Sequence, residues 1–130
     1  MATSARYEAL TLADLARYLR EADNDGTRWR LIWEFHEEYR WEPQEDRQHL
    51  LQDEPPPTGD RRWDVLLAAL AEHLAAQDEN AAPSWTEDRF LAQWWFPFDL
   101  PSQHVEAFVH APMAFRRRGV FVSAWNLEAA

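Results

Sequence analysis

Apolar positions along this chain recur mostly at helical spacing. Leu12, Leu15, Ala16 and Leu19 fall at offsets of 0, 3, 4 and 7, one face of an α-helix. The spacing predicts a helix from near Thr11, whose hydroxyl can cap it, with Asp14 in the positive first turn. Asn24-Asp25-Gly26 is expected to end it. A second helix is predicted from Thr27, with an aromatic stripe of Trp29, Ile32, Trp33, His36 and Tyr39. Pro43 breaks it, and residues 44–52 read as a short polar helix ending in Leu50-Leu51.

The strongest break is Glu54-Pro55-Pro56-Pro57-Thr58-Gly59-Asp60, a stiff extended connector. Asp60 is expected to cap the clearest helix, about 61–77, whose buried face carries Trp63, Leu66, Leu67, Leu70 and Leu74. These five and Trp33 form the expected core. After a loop over 78–84, Thr86 is expected to start a fifth helix with Phe90, Leu91, Trp94 and Trp95 apolar, stopped by Pro97. Ser102 is a cap candidate for a sixth, carrying Val105, Phe108 and Val109, and Pro112 opens a seventh that ends at Arg116-Arg117-Arg118-Gly119. Val120-Phe121-Val122 is the one credible strand or extended docking segment, and Trp125 to Ala130 a last turn. The expected fold is all-α: a single domain over 1–130 with about six or seven short helices. Residues 1–10 read as a flexible start and 53–60 as a Pro-rich connector.

Charge narrows the partners. The 130 residues carry 23 acids against 13 basic residues, a net charge of −10. Residues 1–60 hold 14 acids and 7 arginines, and residues 61–130 hold 9 and 6. Every basic residue is Arg, which with abundant Ala, Pro and Trp reads as the mark of a high-GC genome. Nucleic-acid affinity comes mainly from neutralising phosphates, so this balance opposes strong nucleic-acid binding by the chain alone. It permits a basic protein partner. There is no cysteine, hence no thiol chemistry. The start MATSARYEAL lacks a basic region followed by an apolar one, and no apolar run approaches the ~18 residues of a membrane span. A cytoplasmic protein with no membrane partner is expected.

Candidate chemistry is sparse. Three isolated glycines, Gly26, Gly59 and Gly119, cannot build a phosphate loop, a dinucleotide fingerprint or a nucleophile elbow. His36-Glu37-Glu38-Tyr39-Arg40 begins like a zinc-protease helix, but Arg40 stands where the second imidazole is needed. His104, Glu106 and His110 are spaced too irregularly to share one helix face, and a zinc site needs three or four convergent ligands. Glu34 and Glu38 are a carboxylate pair of the kind common on solvated helix faces, and none of the four serines sits in a glycine-flanked turn. No catalytic residue, metal or cofactor is expected. Trp94-Trp95-Phe96-Pro97-Phe98 is the unusual segment, since four aromatics in five positions cannot all face one core from one short helix. Trp94, Trp95, Phe96 and Phe98, with Arg116, Arg117 and Arg118, are therefore the candidate partner-binding residues, Trp and Arg being favoured interface anchors. For the arginine triplet, helix-end capping is the first reading, ahead of protein contact and then of phosphate contact.

Three segments carry a family resemblance: Trp29 to Phe35 through Tyr39 to Pro43; Pro55 to Asp60 with Trp63 to Leu74; and Trp94-Trp95-Phe96 to Ala114 through Phe121. Together they resemble uncharacterised small actinobacterial proteins, similar to the C-terminal module of antitoxin-like helix-turn-helix regulators. The resemblance spans about residues 10–128. It implies a non-enzymatic protein-binding module, an antitoxin-like regulator that neutralises a nucleotidyltransferase-like toxin. Residues 1–26 are too few for a separate helix-turn-helix domain, which counts against direct repression. Two other readings stay open: an enzyme of unknown chemistry using His104, Glu106 and His110, and an acidic DNA mimic using the charged faces of residues 34–60.

Overall fold

The computed structural model describes residues 9–98 and 101–128. Seven α-helices follow one another: α1 (Leu12–Glu21), α2 (Asp25–Trp41), α3 (Gln44–Leu51), α4 (Arg61–Gln77), α5 (Pro101–His110), α6 (Met113–Arg116) and α7 (Ala124–Glu128). A 3₁₀ turn, Ser84–Thr86, lies between α4 and α5. Among the described residues there is no strand, only one parallel bridge between Trp95 and Val120. The chain is all-α.

Helix α4 is the centre. Its ten buried residues include Trp63, Leu66, Leu67, Leu70 and Leu74, while five alanines let neighbours approach closely. Asp60 caps it by accepting from the Arg62 N–H at 2.9 Å. The Arg62 side chain also bonds Asp60, and that bond, ahead of a smaller opposing effect of burial, holds the Asp60 carboxyl below its usual range. α1, α3 and α6 pack against α4, and α2 packs between α1 and α7.

The proline connector runs as a strap beside α4. Thr58 donates to the Asp64 carboxylate through both its N–H and its hydroxyl, at 2.8 and 2.7 Å. Arg89, itself buried, donates to Asp64 O, Pro55 O and Glu54. One guanidinium thus ties strap, helix and loop together.

Two expectations need correction. Thr27 does not start α2. Asn24 does, its side chain accepting from the Thr27 N–H at 2.8 Å, so Asn24-Asp25-Gly26 opens a helix rather than closing one. Trp33 is mostly buried, as expected, packed against the main core with its indole N–H donating to the Asn126 carbonyl at 2.7 Å. Residues 86–96 do not form a helix. The Thr86 hydroxyl turns back to Pro83 O instead of capping, and the chain beyond runs irregular and extended. Leu91 N–H donates to Arg118 O, Trp95 N–H to Gly119 O, and Phe121 N–H to Trp95 O. These partners are more than twenty residues away, so a long-range pairing overrides local helical spacing. The extended geometry also answers the crowding of aromatics. Successive side chains point to opposite sides, so Trp95 meets Trp63 edge-on at 5.3 Å while Trp94 lies against Phe121 at 5.1 Å.

Gly119 ends α6 with φ +87 and its N–H bonded to Arg116 O. A side chain here would sit in a disfavoured conformation and 3.4 Å from Leu91 Cβ.

Candidate interaction surface

A second, smaller apolar cluster lies beside the main core. It is built on Phe121, with Ala107, Ala111 and the half-buried Phe96. Phe121 stacks on Phe96 at 5.0 Å and on Phe108 at 5.5 Å, both 15° from parallel. Phe96 in turn stacks on His104 at 4.7 Å. Helix α5 rests on this slab through the small residues Ala107 and, just past its end, Ala111.

Sequence spacing placed Val105, Phe108 and Val109 as the apolar positions of this helix. Val105 and Val109 point the other way, and Phe108 lies at the edge, stacked on Phe121 yet partly exposed. Val105 is 65% exposed, Val109 58% and Phe108 44%. The inward face is instead His104, Ala107 and Ala111, at spacings of three and four residues. Alanine spacing was the available signal: small residues let a helix sit close on a flat aromatic ring.

The exposed apolar groups continue beyond α5. Trp94, 66% exposed, meets Phe108 at 5.7 Å. Met113 is exposed at the start of α6, and Trp125 lies 5.1 Å from the His110 ring. Of the nine most exposed large apolar side chains among the described residues, six belong to this region: Trp94, Val105, Phe108, Val109, Met113 and Trp125. A hollow of about 440 Å³ opens beside Trp94, lined by Arg62, Leu91, Ala92, Gln93 and Trp95. Arg62 lies over the Trp95 ring at 5.0 Å.

The candidate partner-binding residues divide sharply. Trp94 is on the surface; Trp95, Phe96 and Phe98 are half-buried, Phe98 against Trp29 at 5.0 Å. Arg116 lies over Phe108 and donates to Val109 O at 3.0 Å, so it borders the apolar strip. Arg117 is exposed and bonds Glu72 at 3.2 Å. Arg118 is not a surface group. Its side chain is fully buried, donating to Glu72, to Ala114 O and to Thr86 O. It fastens α6 and the 3₁₀ turn to α4, so its contribution is internal.

Of the other candidate chemistry, Glu34 and Glu38 line one hollow of about 380 Å³ with Arg30, Trp33 and Glu37, while the remaining candidates lie along α5. His104 is turned into the aromatic slab, whereas Glu106 and His110 are exposed. Among the described residues no group of three or more His, Asp or Glu could hold a metal ion. No helix among them is long and apolar enough to cross a membrane. A hollow of about 550 Å³ lies along the proline strap, and its charged groups already serve the fold: Arg89 bonds Glu54 and two carbonyls, and Arg61 bonds Asp88 O. His36 is buried on the apolar face of α2. Comparison with known protein families, curated proteins and solved structures found no match to this chain.

Proposed function

We propose that this chain is a non-enzymatic module that binds a protein partner. The observation that carries this reading is the exposed apolar strip of Trp94, Phe108, Val105 and Val109, edged by Arg116. Contiguous exposed apolar side chains mark interaction sites, and a large aromatic beside a hollow with an arginine at the rim is the make-up of an interface hot spot. Trp94 and Arg116 are the anchors; Trp95, Phe96 and Phe98 hold the anchor segment in place from beneath.

Within that class the partner we favour is a nucleotidyltransferase-like toxin, which this chain neutralises in the cytoplasm. The support is the resemblance of residues 10–128 to antitoxin-like proteins and the acidic body, whose net charge of −10 suits a target with a basic, nucleotide-binding site. The test is growth. Co-expression with such a toxin from the same cell restores growth, and Trp94→Ala with Arg116→Glu weakens the rescue while the circular dichroism spectrum stays unchanged. Rescue that is indifferent to these substitutions, or tight sequence-specific DNA binding by the isolated chain at physiological salt, overturns the reading.

A further inference from the structure

We propose that the hollow on α2 binds an organic cation, an ammonium or guanidinium group on an apolar stem, with its charge on the Glu38 carboxylate and its stem along Trp33. The site shares no residue with the strip of Trp94, α5 and Arg116, and it goes beyond the proposed function.

Helical spacing brings the lining together. Arg30, Trp33, Glu34, Glu37 and Glu38 recur every three or four positions, so successive turns of α2 carry them on one side of the helix, around a hollow of about 380 Å³. That volume is in the range of small-ligand sites. Trp33 packs against the main core, and its indole N–H is committed to the Asn126 carbonyl at 2.7 Å. The ring therefore offers the hollow apolar surface and no donor.

Charge sets the sign of the ligand. Glu34 has Arg30 at 3.9 Å. Glu37 accepts from Arg40 at 3.4 Å and from the Trp41 indole N–H at 2.9 Å. Glu38 has no such partner among the described residues, and its Oε1 is buried without a donor. A carboxylate that gives up hydration and gains no donor in return carries a cost, which a cation at its open side offsets. Glu38 is only half-buried, so a cation reaches it from the hollow. Three acids against one arginine in the lining repel an anion. Among the described residues no three acids or histidines are placed to hold a metal ion, so the charge belongs on an organic group. A cation on an apolar stem suits both walls, through a charge-assisted hydrogen bond to Glu38 and contact with the Trp33 ring. Either a free small molecule or an Arg or Lys side chain of another protein presents that chemistry.

Nuclear magnetic resonance titration of the full chain tests this, following the Trp33 indole N–H as assigned through Trp33→Phe. The probes are n-butylguanidinium as the free cation, N-acetyl-arginine amide as the side chain, and n-butanol as the neutral control. The expected result is a saturable shift of the Trp33 signal with the cations and none with n-butanol. Glu38→Gln binds about tenfold or more weakly, while Glu106→Gln, at an exposed acid of α5, binds as the parent does. If Glu38→Gln does not fold, Glu38→Asp serves, with weaker binding expected because its charge is drawn back from the hollow. Tighter binding of N-acetyl-arginine amide assigns the source to a protein side chain, and tighter binding of n-butylguanidinium to a free small molecule. No saturable shift with either cation, an equal shift with n-butanol, or parent-like binding by the Glu38 variants overturns the proposal. Growth rescue through Trp94 and Arg116 is decided separately from these outcomes.

Discussion

At the residue scale, three consecutive arginines do three different things, and burial decides which. Arg118 is a buried cation held by Glu72 and two carbonyls. Replacing it with Ala strands those acceptors, and breaking a buried pair by removing one member costs ~3–5 kcal/mol. Arg116→Ala, at the surface, is expected within about 0.5 kcal/mol of the parent. Chemical denaturation of the two variants checks the contrast; equal losses would mean that Arg118 is not internal. Trp63 offers a second contrast. It is fully buried between Trp29 and Trp95, and its indole N–H has no hydrogen-bond partner among the described residues. Trp63→Ala is expected to cost ~3–5 kcal/mol for the cavity it leaves, and Trp63→Phe much less, since no hydrogen bond is lost. Similar losses for both would place a polar partner on that indole.

Tyr39 supplies a pH signature at the same scale. Burial first, then a 2.9 Å bond to Asp78 and that group's charge, raise its phenol well above the ordinary value of 10, against a smaller opposing pull from Arg47. A raised folded-state value means stability that is intact below the unfolded phenol's pKa and is lost as pH rises beyond it. Tyrosinate absorbance during alkaline titration should therefore show Tyr39 ionising only as the fold opens, and Tyr39→Phe should remove that delayed component. Full ionisation of every tyrosine in the folded protein near the ordinary value contradicts it.

At the scale of elements, legibility in the sequence tracked how local the deciding interaction was. α4 runs over the residues its spacing predicts, because its leucine face, alanines and Asp60 cap all agree. α1 matches too, with Thr11 accepting from the Asp14 N–H at 3.1 Å. Segment 86–96 misled because its helical pattern is real but weaker than pairing with residues 118–121, which no local window contains. The outward turn of Val105 and Val109 was hidden for a related reason: apolar spacing marks a face but not which side of the helix meets the protein. That the aromatics of 94–98 could not share one helix face was legible from composition alone, because four aromatics in five positions are unusual wherever they fall. α5 depends on the Phe121 slab, and that dependence is measurable. Phe121→Ala should raise amide exchange in α5 far more than in α4, whose packing lies in the main core. A uniform rise in both helices would show that the two clusters unfold as one.

At the scale of the whole molecule, the protein separates a charged body from an apolar strip. Residues 1–60 hold 14 of the 23 acids, while α5, α6 and the extended segment before Pro97 carry the exposed Trp94, Val105, Phe108, Val109 and Met113. Buried arginines, Arg89 and Arg118, hold the irregular segments to α4 and leave the strip on a fixed support. An exposed aromatic, Trp94, a hollow beside it and the nearby cation Arg116 border the strip. The central claim is that this strip binds a protein. Affinity capture from the native cell, comparing the parent chain with Trp94→Ala, Phe108→Ser and Arg116→Glu variants of unchanged circular dichroism, tests it most directly. The account predicts one protein retained in stoichiometric amount by the parent and lost from each variant. Equal retention by the variants, no retained protein, or capture dominated by DNA that survives physiological salt would contradict it.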